Sequence, residues 1–169
     1  MRKLTGLMAS MVLMCGFAAN AQAEFNQNKL YAGGGVAFNK TSSAFNTDEN
    51  AIGFQFFGGY DLDEEITLTD NIGFAVEVGY TSSGEFEIGS CPFCSKFTLD
   101  GLWVNAVADY KIDEEFSFLN RLGYDLGDDD GVMMGMGVEY NIDANIALRG
   151  EIVMRGAYKS FQANALYRF

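Results

Sequence analysis

Cys91 and Cys94 stand two residues apart in the segment GSCPFCSK. C-x-x-C spacing admits three chemistries. The first is a local structural disulfide, formed in an oxidising compartment. The second is a catalytic redox pair, but such sites draw a low thiol pKa from a helix N-terminus in a βαβ unit, and no such pattern surrounds these cysteines. The third is metal binding, for which two thiolates supply half of a tetrahedral site, and the chain contains no His to complete it. The disulfide ranks first, and no metal is expected.

Eight ions are candidates for a second kind of chemistry: Glu77, Asp109, Arg121, Glu139, Arg149, Glu151, Arg155 and Arg168. Each is set singly among Gly and small or apolar neighbours. Without His, the commonest neutral-pH general base and the serine–histidine route are both missing. Carboxylate pairs remain available for acid–base work, yet no spacing singles one out. The run Asp128, Asp129, Asp130 lacks the spaced ligand pattern of a calcium loop and reads as a solvated acidic turn. Gly33, Gly34 and Gly35 lack the Gly-Lys-Ser/Thr and the helix of a phosphate loop. In a strand, such glycines permit close backbone approach or bending. No cofactor is implied.

The elements that must position these residues begin after an export signal. Arg2 and Lys3 precede an apolar run from Leu7 to Ala18, and Ala21-Gln22-Ala23 places small residues at a cleavage site. Residues 1–23 are therefore expected to be a cleaved signal peptide and residues 24–169 one domain. A lipoprotein signal using Cys15 ranks lower, because bulky Met14 stands where a small residue is wanted. Cleavage would remove two basic residues and move the formal charge from -12 to -14. So acidic a chain gains nothing from a polyanion, which excludes nucleic acid as a partner. No stretch of the mature chain is long and apolar enough for a spanning helix. Any entry into a membrane would have to be as a closed barrel.

The mature chain divides into alternating segments of about the length a transmembrane strand needs. They are 29–38, 51–60, 71–80, about 99–110, 115–124, 131–140, 145–155 and 159–169. In the third, Ile72, Phe74, Val76, Val78 and Tyr80 share one face, while Asn71, Gly73, Ala75, Glu77 and Gly79 share the other. Period 2 means strand. Across the segments charge falls on one face and large aliphatic or aromatic residues on the other, with Asn120 an exception on the apolar face. A soluble sandwich also alternates, but its wetted face carries long polar side chains. Here Gly and small residues surround isolated ions, which suits a narrow lumen lined by a lipid-facing exterior. Tyr60, Tyr80, Tyr110, Tyr124 and Tyr140 close their segments, as two aromatic girdles require.

The strand endings Gly59-Tyr60, Gly79-Tyr80 and Gly123-Tyr124, Glu77 within IGFAVEVGY, and the terminal ALYRF resemble the eight-stranded outer-membrane β-barrel family, which includes the membrane domain of OmpA and OmpX-like barrels. The resemblance spans the mature chain. It implies an all-β, eight-stranded antiparallel barrel in the outer membrane of a Gram-negative bacterium. Tyr167 and Phe169 match the terminal signal that such proteins present to the barrel-assembly machinery, which they reach with periplasmic chaperones. Outer-membrane lipids are the implied environment and a monomer the implied state. With both termini periplasmic, 39–50, 81–98, 125–130 and 156–158 would face outward.

By depth, Glu77, Arg121, Arg149 and Glu151 would occupy the middle or upper lumen, and Asp109, Glu139 and Arg168 the periplasmic mouth. Mutual pairing that plugs the interior is the physical expectation, since unpaired charge there is costly. A structural or surface-interaction protein ranks first, a small pore or transport accessory second, and an outer-membrane lipid-modifying enzyme or protease third. No residue pattern identifies a surface ligand.

Overall fold

Alternation of apolar and polar residues leaves each segment two unlike faces, and closing the sheet on itself satisfies both. The computed structural model describes residues 26–41, 49–62, 71–88 and 95–169. After a short 3-10 turn at Gln27–Lys29 come β1 (Leu30–Thr41), β2 (Asn50–Asp61), β3 (Ile72–Ile88), β4 (Ser95–Lys111), β5 (Phe116–Asp125), β6 (Gly131–Asn141), β7 (Ile146–Met154) and β8 (Tyr158–Arg168). Each strand pairs antiparallel with the next, and β8 pairs with β1 to close the barrel. Closure gives each strand of the barrel wall a partner on both sides. The Phe169 amide donates to the Leu30 carbonyl at 3.0 Å, finishing the seam.

Register fixes the barrel's shape. The path Leu30, Tyr60, Val76, Ala106, Leu122, Met134, Met154, Lys159 follows direct partners around the wall and returns to β1 at Lys40, ten residues beyond its start. Ten rises of about 3.3 Å against eight strand spacings of about 4.8 Å tilt the strands by roughly 40°. A barrel of this size has an interior just wide enough for side chains to fill or for one small ligand.

The two faces separate as alternation demands. Phe54, Phe56, Val78, Leu102, Leu122, Met134, Leu148 and Phe161 are exposed on the outside, whereas Gln55, Glu77, Asn105, Arg121, Arg149 and Asn164 are buried within. Asn120 lies on the outer face, exposed. Two four-residue turns share the end that holds the termini. In each, one aspartate accepts two backbone amides: Asp113 from Glu115 and Phe116 at 2.9 and 2.7 Å, Asp143 from Asn145 and Ile146, both at 2.8 Å. Short turns mark the periplasmic end.

The opposite end departs from the expected loops. Strands β3 and β4 run on to Ile88 and from Ser95, so much of the expected outer loop 81–98 is a projecting strand pair. A bulge between Ser82 and Glu85 made this extension hard to read. Gly84 adopts φ 75° there, a conformation that costs other residues energy. The Ser83 hydroxyl accepts from the Leu99 amide at 2.9 Å, and the Ser83 carbonyl accepts from Asn39 at 2.7 Å. The extra residue reverses side-chain parity. Before it, Ala75 and Glu77 face inward; after it, Phe86 does, with no exposed surface. Glu85 and Glu87 turn outward, and both pair with Lys96, at 2.6 and 2.7 Å.

The expected signal peptide, residues 1–23, and the pair Cys91 and Cys94 lie outside the described residues.

Candidate functional site

Glu77 stands on the inner face of β3 and organises the lumen. Its Oε1 accepts from the Tyr31 hydroxyl at 2.8 Å and from Arg149 Nη1 at 2.5 Å, and its Oε2 accepts from Arg121 Nη2 at 3.0 Å. Arg121 continues to Glu151, 2.9 Å between the charged groups. Arg149 turns the other way to Glu139 at 2.8 Å. Glu139 reaches Arg168 at 2.7 Å, and Arg168 reaches Asp61 at 2.9 Å. The groups that sequence depth divided in two are thus joined through the Arg149–Glu139 contact. Those two residues are direct cross-strand neighbours on β6 and β7.

An amide ladder extends the chain outward. Asn164 donates to Glu151 at 3.2 Å, and Gln55 donates to Asn164 and Gln162 at 2.9 and 2.7 Å. Gln162 donates to the Ser160 hydroxyl at 3.0 Å. Aromatic faces fill the space between the ions. Arg121 lies over Trp103 at 5.4 Å, Arg149 over Phe57 at 5.6 Å, and Arg168 over Tyr31 at 5.2 Å. Such stacking stabilises a cation that has lost its water. Gly79 makes room for Trp103, because a Cβ there would lie about 2.5 Å from the indole.

Apolar side chains pack together at the outer end. Phe86, Tyr158 and Ala51 form a cluster against Phe97, Leu99 and Ala157. The Phe86 ring lies 5.3 Å from Phe97 and 6.1 Å from Tyr158. Just beneath, buried Arg155 pairs with Asp125 and lies over Tyr158 at 5.6 Å. The periplasmic end instead opens into a vestibule of about 1300 Å³, lined in part by Asp61, Asp109, Glu139, Ser117 and Arg168.

Of the residues singled out in the sequence, Glu77, Arg121, Glu139, Arg149, Glu151 and Arg168 are brought into one network. Asp109 faces the vestibule and joins no ion pair among the described residues. Tyr31, Asp61 and Asp125 were missed, although each lies on the inward parity of its strand. Asp128 and Asp130 are exposed in an acidic turn, and Asp128 and Asp129 also make backbone contacts. Asp128 accepts from the Asp100 amide at 3.1 Å, and both carboxylate oxygens of Asp129 accept from the Ala157 amide, at 3.0 and 2.9 Å. They tie the third outer turn to β4 and to the fourth. Gly33, Gly34 and Gly35 lie within β1. Tyr167 and Phe169 are exposed at the periplasmic end, rings edge-on at 5.3 Å. Among the described residues, no group of three or more His, Cys, Asp or Glu could hold a metal ion.

The model of the outer membrane protein beta-barrel domain matches residues 9–169. No curated protein matches the sequence. Among solved structures, the chain is similar to Neisserial surface protein A, with TM-score 0.58 and 17% identity over 83% of this chain and 97% of that one. It is similar to the attachment invasion locus protein Ail of Yersinia pestis, with TM-score 0.56 and 15% identity over 83% and 97%. A de novo designed transmembrane β-barrel gives TM-score 0.53 and 16% identity over 86% and 99%. Likeness at these identities concerns the fold.

Proposed function

This chain belongs to the outer membrane protein β-barrel domain family, and on that premise we propose that it is a non-enzymatic surface protein whose lumen is plugged and whose outer end engages other molecules. It is an integral protein of the Gram-negative outer membrane, in contact with its lipids. The observation that carries the proposal is the asymmetry of the two ends. Phe86, Phe97 and Tyr158 pack across the outer mouth, above Arg155–Asp125 and the amide ladder. The β3–β4 pair projects beyond that seal and presents Glu85, Glu87 and Lys96. A pore would need the periplasmic vestibule to continue through Arg168, Arg149, Arg121 and their carboxylate partners, all hydrogen-bonded across the lumen. The names of Neisserial surface protein A and of the attachment invasion locus protein agree with a role outside the cell.

In this reading Cys91 and Cys94 form a local disulfide in the connection between β3 and β4, and residues 1–23 are removed on export. Intact mass of the membrane form reads both. Tyr167 and Phe169 serve as the signal to the barrel-assembly machinery after passage with periplasmic chaperones, and the protein works as a monomer. Planar-bilayer recording of the refolded protein tests the plug. The expected record shows no regular conductance steps; reproducible steps of one size would refute a sealed lumen and favour the pore.

A further inference from the structure

The periplasmic vestibule holds a carboxylate and a hydroxyl that the lumen network leaves unused. Asp109 on β4 and Ser117 on β5 both line it. Ser117 keeps only 6% of its surface exposed, yet its hydroxyl has no hydrogen-bond partner among the described residues. Among the same residues Asp109 makes no ion pair and no hydrogen bond to another side chain. Its cross-strand neighbour is Gly73, where a Cβ would overlap Asp109 Oδ1. Only glycine leaves that carboxylate its place over β3. In register, Lys111 pairs with Ser117 and Asp109 with Leu119. Asp109 and Ser117 are therefore diagonal neighbours on one face, their backbones about 7 to 8 Å apart. That spacing admits one small group between their oxygens.

The surrounding charge calls for a cation. Asp61, Glu77, Asp109, Glu139 and Glu151 outnumber Arg121, Arg149 and Arg168 in the lumen and vestibule. Each of these guanidiniums is already shared between two carboxylates: Arg121 by Glu77 and Glu151, Arg149 by Glu77 and Glu139, Arg168 by Glu139 and Asp61. Lys111 stands exposed at the rim and makes no ion pair with Asp109, and Lys29, also at the mouth, has a contact of its own. Carboxylate in excess inside a barrel is costly until it is matched.

The acceptors define what would match it. A primary ammonium carries three N–H donors and no acceptor. Asp109 offers it two oxygens and Ser117 a third. A divalent metal ion wants more oxygen ligands than these, and no group of three or more His, Cys, Asp or Glu among the described residues could hold one. The vestibule, about 1300 Å³ and open to the periplasm, admits the chain that carries the ammonium.

We propose that Asp109 and Ser117 bind a primary ammonium at the tip of a slender aliphatic chain entering from the periplasm. A free diamine and the lysine-like side chain of a periplasmic peptide share this chemistry. The site lies below the ion network and is independent of what the outer end engages.

The test titrates the refolded, ¹⁵N-labelled protein in micelles with cadaverine and follows amide shifts by NMR. Saturable shifts are expected at Gly73, Asp109, Lys111 and Ser117. D109N should bind about 10-fold more weakly, the loss expected for one hydrogen bond between charged groups, and S117A about 3-fold more weakly. K111Q removes a competing ammonium and should bind at least as tightly as the parent. Pentane-1,5-diol, of the same length without charge, should give no saturable shift. Acetyl-lysine-amide binding as tightly as cadaverine would assign the site to peptide amines, and binding 10-fold weaker would assign it to free diamines; either result supports the site. Equal affinity of D109N and the parent for cadaverine would overturn it. Should D109N fail to fold, pentanediol binding the parent as tightly as cadaverine would overturn it in the same way. Displacement of cadaverine by equimolar magnesium would overturn the choice of an ammonium.

Discussion

Glu77→Ala removes the carboxylate that three donors share. Arg149 then keeps Glu139, Arg121 keeps Glu151, and the Tyr31 hydroxyl loses its acceptor. All three donors remain buried, and Glu77 itself has no exposed surface. Breaking a buried ion pair by deleting one partner costs about 3 to 5 kcal/mol, because the survivor keeps its desolvation penalty. Glu77 lies in two such pairs, but each arginine retains a second carboxylate. A loss of about 4 kcal/mol is therefore expected, and about 3 for Arg121→Ala. The double variant leaves no unmatched charge between those two positions, so it should lose about 2 kcal/mol less than the two single losses added. Urea unfolding in lipid vesicles, followed by fluorescence of Trp103, gives all three values, because the chain's one Trp is buried in the lumen. A single loss below about 1 kcal/mol, or additivity within about 0.5 kcal/mol, would refute a load shared through direct contact.

Three other expectations follow from particular contacts. Phe56→Arg places a cation on the lipid face and should cost roughly 2 to 4 kcal/mol near mid-bilayer by the same unfolding assay; near-neutral behaviour would mean that this face is not in hydrocarbon. Gly84→Ala should cost at least about 1 to 2 kcal/mol, because φ is 75° and a Cβ there would overlap the Ile52 backbone; an unchanged midpoint would argue against the bulge. Thiol labelling of unreduced, denatured protein should modify neither Cys91 nor Cys94, and breaking their link should leave the barrel assembled; labelling of both would rule out the disulfide.

Much of the fold was legible because one rule governs it. In AIGFQFFGGY, alternation alone separates Ile52, Phe54 and Phe56 from Gly53, Gln55 and Phe57, and closure makes the first set outside and the second inside. Parity could not say which ions meet. Arg149 and Glu139 are cross-strand neighbours, but the Glu77–Arg149 contact crosses the lumen from β3 to β7, and that distance depends on the ten-residue stagger. The projecting hairpin was hidden for a different reason. Thr81, Ser82, Ser83 and Gly84 interrupt the apolar face, so the pattern stops at Tyr80; Phe86 resumes it in the same sequence phase, and the bulge turns that residue inward instead of outward. Ser83 is buried by its role in the bulge, where its polarity reads as a loop. Asp125 lies at the end of β5, where alternation carries least information.

In the proposed plug, a bulge rotates the top of β3 so that Phe86 packs across the outer mouth of a lipid-embedded barrel. Spin labels placed singly from position 72 to 87, with accessibility to oxygen and to a water-soluble nickel chelate, test it most directly. Oxygen should reach 72, 74, 76 and 78 and spare 73, 75 and 77. Beyond Gly84 the phase should reverse: the chelate should reach 85 and 87, while 86 is protected from both. An unbroken period of 2 through position 87, or free access of the chelate to 86 and 77, would contradict the sealed barrel.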